Sequence, residues 1–250
     1  MNEQSMINKK AWEYRTYEAW LQRDGQPHEK AMKILENPIG CLKMHQKYFQ
    51  NISGLSIANI CGSNGRKAVP LALLGANVTV FDISEGNKKY AMELAEAAKV
   101  HIKYEVTDIY DIDISMYKDS FDILYLEGGI LHYFFDIDKF MNILYSVLKP
   151  GGKMILSDSH PFRKMMSSNP SKDNIKDYFD SGIHEADVAY KSLLNISDDE
   201  NVPNCSLRLY NISEIINSVI RQKFILKEFN EYPSMNNEKL PGEFMIYAIK

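Results

Sequence analysis

A turn of small residues, followed at a distance by an acid, is the part of the sequence with the clearest chemical potential. Residues 62–65 read Gly-Ser-Asn-Gly directly after a mostly apolar run at 57–61, so the backbone there can approach a ligand closely. Asp82 follows a second apolar run about 20 residues later, where a carboxylate can accept hydrogen bonds from both hydroxyls of an adenosine ribose. Together the two features predict a site for an adenosine-containing cofactor.

Strand-like and helix-like segments alternate around this turn. We predict strands over 56–61, 77–82, 101–107, 121–127 and 153–157, with helical patterns between them. Such alternation predicts a mainly parallel sheet that helices cover on both faces. The pattern changes after a helix at 212–222, because strands at 224–229 and 244–249 are separated by a polar loop that contains Pro233 and Pro241. Two consecutive strands of this kind must pair antiparallel or lie apart.

The N-terminal segment differs from the rest because each part of it has a helical pattern. A helix is predicted over 9–23, a break at 25–27, and further helices over 28–36 and 39–49. Trp12, Tyr14, Tyr17 and Trp20 lie along the first helix, either as an apolar stripe packed on the core or as a flap over a ligand. Residues 1–52 are therefore interpreted as a helical cap or lid, and residues 53–250 as one domain with an insertion at 162–209.

The composition limits the partners that the chain can have. Its 250 residues, 45% of them hydrophobic, can bury a sizeable core as one large α/β domain. The net charge is −4 and no run of five Lys or Arg residues occurs, so we expect small-molecule partners and no nucleic acid. Cys41, Cys61 and Cys205 are far apart and outside CxxC spacing, which predicts no disulfide, no structural metal and a cytoplasmic location. No signal-peptide pattern or membrane-spanning apolar run is present in the sequence.

From about Leu55 to Lys250 the chain resembles class I S-adenosylmethionine-dependent methyltransferases of the small-molecule type. The family has an acid and a hydrophobe before a Gly-x-Gly-x-Gly turn, and the matching residues here are Asn59, Ile60 and then Cys61-Gly62-Ser63-Asn64-Gly65. The last glycine is kept, and the Asn59 amide oxygen stands where the family acid holds the methionine ammonium. The resemblance implies an α/β fold, a seven-stranded, mostly parallel, doubly wound sheet (Rossmann-like) with a C-terminal antiparallel strand pair.

The resemblance also implies the rest of the cofactor site, in addition to Gly62, Ser63 and Gly65 of the turn. Asp82 matches the acid that binds the ribose, with Ile83 against the adenine face. Asp108, next to Ile109, matches the acid that receives the adenine amino group. Glu127 and Gly128 end the segment that runs past the sulfonium, and residues 148–152 (Leu-Lys-Pro-Gly-Gly) match the turn before strand five.

The implied chemistry is in-line displacement at the methyl carbon of S-adenosyl-L-methionine, which leaves S-adenosyl-L-homocysteine, with the protein chiefly positioning both substrates. A general base is needed only where the acceptor is a hydroxyl, a protonated amine or an acidic carbon. His160 is the favoured base and His132 the second choice, and for each the alternative is a pocket wall or a helix cap. Tyr17, with Arg15, is predicted to bind the cofactor carboxylate. The predicted acceptor contacts are Tyr133, Phe162, Tyr178 and His184, the last three from the insertion, which would act as an acceptor lid.

Other functions remain open at this point. A nicotinamide cofactor would share the turn and the acid, but the GxGxxG spacing is missing. An RNA or protein methyltransferase is an enzyme alternative, and a regulatory protein that binds S-adenosylmethionine without turnover is another class. The prediction is methyl transfer to an O, N or C atom of a small-molecule acceptor by a monomer or homodimer, with no membrane and no metal involved.

Overall fold

The computed structural model describes residues 1–165, 177–197 and 199–250. Its strands in chain order are β1 (Ser56–Ile60), β2 (Asn77–Asp82), β3 (Lys103–Val106), β4 (Phe121–Glu127), β5 (Leu148–Ser159), β6 (Ile183–Ala186), β7 (Cys205–Arg208), β8 (Ile225–Ser234) and β9 (Asn237–Ile249). Seven of them form one sheet in the order β3-β2-β1-β4-β5-β9-β8, while β6 and β7 form a separate two-stranded sheet. Strands β1 to β5 pair in parallel, and β9 is antiparallel to both β5 and β8. The predicted fold class is confirmed.

Helices cover both faces of the large sheet. They are α1 (Glu3–Glu13), α2 (Thr16–Asp24), α3 (Pro27–Glu36), α4 (Ala68–Leu73), α5 (Glu85–Ala97), α6 (Ile114–Tyr117), α7 (Ile137–Val147), α8 (Pro161–Met165) and α9 (Ile212–Arg221). Two 3₁₀ segments lie within Ile39–Phe49, on either side of a kink at Lys43. Because successive strand residues point to opposite faces, Ile57 joins the core under the N-terminal helices and Ala58 joins the core under α7 and α9. Within the described part of the chain, no helix is both long and apolar enough to cross a bilayer.

The predicted helix over 9–23 is wrong, because the chain breaks between α1 and α2. Arg15 has a left-handed conformation with φ 49°, which a continuous helix does not allow. Its guanidinium holds this geometry by pairing with Glu18 and with Glu200 from the distant 162–209 segment, at 2.7 and 2.6 Å. A long-range ion pair of this kind leaves no local sequence pattern.

The predicted polar loop around Pro233 and Pro241 is also wrong, because both prolines lie in strands. Pro233 is in the edge strand β8, and it lies opposite Pro241 where the register between β8 and β9 is irregular, which are places where a sheet tolerates proline. Pro241 lies in β9 beyond Glu243, where the pairing with β5 ends. The strand predicted at 153–157 is longer, because β5 runs from Leu148 to Ser159 and includes the turn expected at 148–152. The strand predicted at 101–107 is confined to Lys103–Val106.

The N-terminal helices are joined to the described part of the 162–209 insertion. The Asn8 amide binds both backbone groups of Ser206 in β7, at 2.7 Å from its nitrogen and 3.0 Å from its oxygen. The Tyr190 hydroxyl lies 2.7 Å from the Tyr14 carbonyl oxygen and 2.6 Å from the Thr16 hydroxyl. These contacts make one polar junction between the two segments. The proposed domain division at residue 52 stays a prediction, and residues 166–176 and 198 of the insertion lie outside the described residues.

A buried histidine in the core predicts acid sensitivity. His45 shares a hydrogen bond of 2.9 Å between its Nδ1 and the Tyr125 hydroxyl, and burial lowers its pKa to about 4. A histidine in an unfolded chain has a pKa of about 6.5. As the pH falls, the unfolded chain therefore binds a proton before the folded one does, and the free energy of unfolding decreases between pH 6.5 and pH 4. We expect His45 to account for a loss of about 2 kcal/mol between pH 7 and pH 4.5.

Urea unfolding of the unmodified protein and of His45→Gln at both pH values checks this. The substitution should remove that share of the pH dependence, whereas His28→Gln, at an exposed position on α3, should leave it in place. An equal pH dependence in the unmodified protein and His45→Gln would contradict the assignment.

Candidate functional site

A cleft with a cavity volume of about 340 Å³ lies at the carboxyl ends of β1, β2, β3 and β4. Helices α1 and α2 and residues 189–193 cover it from the other side. In a parallel sheet this edge is where ligands bind. The predicted site residues that line the cleft are Asn59, Gly62, Ser63, Asp82, Ile83, Asp108, Ile109, Glu127, Gly128 and Tyr133. The structure therefore brings together most of the residues predicted for the cofactor.

The turn after β1 has a backbone that normally calls for glycine. Cys61, Ser63 and Gly65 all have positive φ, at 50°, 50° and 78°, and these are the three glycine positions of the family pattern. A Cβ on Gly62 would lie 2.5 Å from Asn59 Oδ1, so this position needs glycine for a steric reason. The turn thus keeps the expected path even though non-glycine residues occupy two left-handed positions.

Gly65 does not line the cleft but sets the packing of α5. A Cβ there would lie 2.8 Å from Ala91 Cβ, in addition to the strain of φ +78°. We expect Gly65→Ala to lower the free energy of unfolding by about 2 to 4 kcal/mol through backbone strain and overpacking combined. Gly54→Ala is the matched control, since Gly54 also has φ +78° but nothing within 4 Å of the added atom. Equal losses in urea unfolding of the two variants would show that the packing contact with α5 is unimportant.

Asp82 is held at the end of β2 by donors on three sides. Its Oδ2 accepts from Ser63 N at 3.0 Å, and its Oδ1 accepts from Ser84 N at 3.1 Å and Asn87 Nδ2 at 2.8 Å. Burial raises the pKa of Asp82, and the hydrogen bonds from Asn87, Ser63 and Ser84 oppose that rise. The carboxylate is therefore fixed in orientation before any ligand binds.

Asp108 follows β3 and has one oxygen engaged in the local backbone. Its Oδ1 accepts from Tyr110 N at 3.0 Å. Its Oδ2 is buried and has no hydrogen-bond partner in the parts of the chain that the structure describes. A buried acceptor in this state costs about 1 to 3 kcal/mol, which a donor on a ligand would recover.

Asn59 and Glu127 present two more such oxygens, from β1 and β4. Asn59 Nδ2 donates to the Tyr125 carbonyl at 3.2 Å, so the other amide atom, Oδ1, is the one that can accept a hydrogen bond from a ligand. Asn59 Oδ1 and Glu127 Oε2 are buried without a hydrogen bond from any described residue. Lys67 Nζ lies 3.5 Å from Glu127 Oε1 and Arg66 lies 3.6 Å from its Oε2, so the carboxylate has cations beside it.

The structure adds cleft residues that the sequence reasoning missed. Arg66 and Lys67 follow the turn directly, and a pair of basic residues at that place was a usable signal. Burial lowers the pKa of Lys67, whose Nζ donates to the Cys41 carbonyl at 2.7 Å. Arg23 also lines the cleft, but no local pattern marks it. Tyr190 lines the cleft as well, and it belongs to the insertion that was expected to act as an acceptor lid. Trp20 belongs to the core cluster, Trp12 packs against that cluster, and both line the cleft; a role as a flap over a ligand stays a prediction.

The two predicted histidine bases differ in their position. His160 is buried next to β5 and is not among the cleft-lining residues. Its Nδ1 accepts from Phe162 N at 3.2 Å, and its Nε2 lies 2.9 Å from a Glu231 carboxylate oxygen. Burial lowers the pKa of His160, partly offset by Glu231. His132 lies at the rim instead, because a Cβ on the cleft residue Gly129 would be 3.4 Å from its Cε1.

The other predicted contacts are spread around the cleft. Tyr133 lines it, with its ring centroid 5.8 Å from that of Trp12. Tyr17 donates to Glu93 on the outside of α5. Phe162, Tyr178 and His184 do not line the cleft: the first two rings pack together at 5.4 Å, and His184 Nε2 lies 3.0 Å from Asp180. Of these predicted contacts, the structure brings Tyr133 to the cleft. It does not bring Tyr17, Phe162, Tyr178 or His184 there.

Comparison with known proteins agrees with this geometry. A family model described as a methyltransferase domain matches residues 59–156. A ubiquinone biosynthesis O-methyltransferase of Nitrobacter winogradskyi is 34% identical over 107 residues, which cover 42% of this chain and 39% of that protein. The protein of the same name from Rickettsia typhi is 28% identical over 167 residues, 64% of each chain. The chain thus matches about two fifths to two thirds of the length of these curated relatives.

Solved structures extend the similarity to nearly the whole chain. An S-adenosylmethionine-dependent methyltransferase from Mesorhizobium loti has a TM-score of 0.63 at 20% identity and covers 82% of this chain and 97% of its own. A magnesium protoporphyrin IX methyltransferase from Synechocystis with bound S-adenosylhomocysteine has a TM-score of 0.63 at 13% identity, covering 99% and 100%. The TM-scores of these two structures establish the fold. The family model and the cleft at the strand ends of the sheet agree with that fold. The chain therefore has the fold of the class I S-adenosylmethionine-dependent methyltransferases, and its residues 59–156 match a methyltransferase-domain family.

Proposed function

We propose that this protein uses S-adenosylmethionine to methylate a small molecule in the cleft. The strongest support for this proposal is the group of buried oxygens at the strand ends. Among them, Asn59 Oδ1, Asp108 Oδ2 and Glu127 Oε2 have no hydrogen bond within the described residues. Such acceptors favour a ligand that brings several donors at once. An adenosine joined to an amino acid has hydroxyl, amino and ammonium donors for this purpose.

Each part of the cofactor has a partner in this arrangement. Asp82 accepts the ribose hydroxyls and Asp108 accepts the adenine amino group, with Ile83 and Ile109 against the adenine ring. Their support is that all four line one cleft and that both carboxylates are buried. Ser63 and Gly62 allow the backbone to approach between them, as in other small-residue turns after a first strand.

The amino-acid end of the cofactor is assigned to the region around Glu127. The oxygens of Asn59 and Glu127 accept the ammonium, and Gly128 lies beside them. For the carboxylate we propose Arg66 rather than Tyr17, because Arg66 lines the cleft and Tyr17 does not. When bound, the cofactor supplies an electrophilic methyl group, while the residues of this chain bind, orient and exclude water.

The proposed acceptor is a small molecule that carries a hydroxyl group. The cleft wall formed by the N-terminal helices and neighbouring loops is largely aromatic and apolar, with Trp12, Tyr133, Phe134 and Leu193, which suits a nonpolar acceptor body. The curated relatives are named as O-methyltransferases of ubiquinone biosynthesis, which agrees with a hydroxyl acceptor. A cleft of this size also favours a metabolite over RNA or protein, the enzyme alternative.

Calorimetric titration with S-adenosylhomocysteine, with NADH as control ligand, tests the cofactor assignment. We expect micromolar binding of the former alone. Binding of NADH instead would favour a dehydrogenase, and binding of neither would contradict the proposal. Methyl transfer from tritiated S-adenosylmethionine to a panel of phenols, amines and carboxylic acids then identifies the acceptor class. Strong cofactor binding without turnover on the panel would favour the regulatory alternative.

The choice of base can be tested by a pair of variants. We propose His132 at the cleft rim as the base for a hydroxyl acceptor, with His160 as the second choice because it does not line the cleft. His132→Gln should lower kcat by about 100-fold or more with little change in cofactor affinity, whereas His160→Gln should leave kcat within a few-fold of the unmodified rate. The reverse ranking in a radiometric assay would assign the role to His160.

Further properties stay proposals. A cytoplasmic location agrees with the three free cysteines, Cys41, Cys61 and Cys205. The oligomeric state, monomer or homodimer, awaits light scattering of the purified protein. The acceptor contacts predicted at Phe162, Tyr178 and His184 would require the insertion to move towards the cleft.

A further inference from the structure

A buried chain of hydrogen bonds leads from the N-terminal helices to Asp82. Trp20 Nε1 on α2 donates to Asn87 Oδ1 on α5 at 2.6 Å, and Asn87 Nδ2 donates to Asp82 Oδ1 at 2.8 Å. The exposed fractions of the three side chains are 3%, 1% and 7%. Hydrogen bonds shielded from water in this way are stronger and more directional than exposed ones.

The chemistry of the three groups fixes the direction of the chain. An indole N–H can only donate, and an ionised carboxylate can only accept. The Asn87 amide must therefore point its oxygen at Trp20 and its nitrogen at Asp82. An asparagine rotated by half a turn would place donor against donor at one end and acceptor against acceptor at the other. The indole thus sets the orientation of the amide, and the amide supplies a donor to the carboxylate.

Other contacts bring the same helices to the same place. The Glu13 carboxylate of α1 accepts from Glu85 N at 2.7 Å and from Gly86 N at 3.3 Å. A Cβ on Gly86 would lie 3.1 Å from Thr16 Cβ. The start of α5, a few residues after Asp82, is therefore a docking point for the N-terminal helices.

We propose that Asn87 and Trp20 are positioning residues for Asp82, so that binding of the cofactor ribose depends on the docked position of the N-terminal helices. The inference rests on the proposed function, since it takes Asp82 to be the ribose acid. Asn87 acts directly on the carboxylate, and Trp20 acts through Asn87. Opening of α2 away from α5 removes the Trp20 donor, frees the amide to rotate and lowers cofactor affinity.

The same arrangement predicts a change in pH dependence. Burial raises the pKa of Asp82, and the first of the hydrogen bonds opposing that rise comes from Asn87. The titratable groups around Asp82 are Cys61 after β1, Tyr104 on β3, Glu13 on α1 and Glu85 on α5. Burial also raises the pKa of Cys61 and Tyr104 well above the ordinary values. Loss of the Asn87 donor should therefore make affinity fall at a higher pH, because Asp82 protonates earlier.

The test is calorimetric titration with S-adenosylhomocysteine from pH 5 to pH 8 for Asn87→Leu and Trp20→Phe. Leucine matches asparagine in size without a donor, and phenylalanine keeps a ring without the N–H. At pH 8 we expect affinity to fall about tenfold or more in Asn87→Leu and several-fold in Trp20→Phe, since a hydrogen bond to a charged group is worth about 1.5 to 3 kcal/mol. In both, the midpoint of the acid loss of affinity should move to higher pH.

Tyr90→Phe is the matched control. It removes a hydrogen bond of 2.9 Å from α5 to the Gly25 carbonyl, which lies between the same helices without contact to Asp82, and should leave the affinity and its pH midpoint unchanged. Thermal unfolding confirms that each variant is folded, and Trp20→Phe remains informative if Asn87→Leu is not. If a folded Asn87→Leu or Trp20→Phe protein has the same affinity for S-adenosylhomocysteine and the same pH midpoint as the unmodified protein, the positioning role alone is overturned. Absence of binding to the unmodified protein would overturn the proposed function as well.

Discussion

Replacement of Asp82 by alanine is expected to weaken S-adenosylhomocysteine binding by about 2 to 4 kcal/mol, which is roughly 30-fold to 1000-fold. The reason is that a buried, oriented carboxylate contributes two charge-assisted hydrogen bonds to a pair of ribose hydroxyls. Calorimetric titration at pH 8 measures the loss, and circular dichroism shows whether the variant is folded.

Asp82 also stabilises the backbone around it, since its carboxylate accepts hydrogen bonds from Ser63 N and Ser84 N. Asp82→Asn keeps the size of the side chain and one acceptor oxygen, and should fall between the unmodified protein and the alanine variant. Asp113→Ala is the control, because Asp113 accepts backbone hydrogen bonds at the start of α6 in an exposed position away from the cleft. A folded Asp82→Ala protein with unchanged affinity would exclude Asp82 from the cofactor site.

The second large effect is expected in stability, from Asp158→Ala. Asp158 is buried near the end of β5, and its Oδ2 accepts from Ile130 N at 2.8 Å and Leu131 N at 2.7 Å. Removal of the carboxylate leaves two buried N–H groups without an acceptor, at about 1 to 3 kcal/mol each, so we expect the free energy of unfolding to fall by about 4 kcal/mol. Urea unfolding gives this value directly.

The control for Asp158 is Asp136→Ala, which removes an exposed helix cap. Asp136 Oδ1 accepts from Lys139 N at 2.9 Å at the start of α7, and loss of such a cap costs about 1 kcal/mol. Because Ile130 and Leu131 begin the segment that carries Tyr133 at the cleft, Asp158→Ala should also weaken acceptor binding. Equal stabilities of the two alanine variants would show that Asp158 does not hold this segment.

The residues at the base of the cleft could be predicted because they follow local rules. Asp82, Asp108 and Glu127 each come at or just after the end of an apolar strand pattern, and parallel strands place such ends at one edge of a sheet. The glycine turn was recognisable for the same reason. Departures from the glycine pattern at Cys61 and Ser63 did not change the backbone path.

The cap could not be predicted to the same depth, because long-range contacts decide it. The helix break at Arg15 is held by Glu200, which lies 185 residues away in sequence. His160 was a reasonable base by position, but its Nδ1 accepts from Phe162 N at the start of α8, and Glu231 of β8 approaches its Nε2. Neither Glu200 nor Glu231 can be identified from the residues near Arg15 or His160.

The position of β9 between β5 and β8 has a consequence for how the chain reaches this structure. Residues Met154, Ile155 and Leu156 of β5 are fully or almost fully buried and pair with Ala248, Tyr247 and Ile246. These pairs are far apart in sequence, so we expect them to form slowly during folding. An intermediate with β1 to β5 assembled exposes an apolar strand edge, which can recruit another molecule in place of β9. Refolding yield should therefore fall as protein concentration rises.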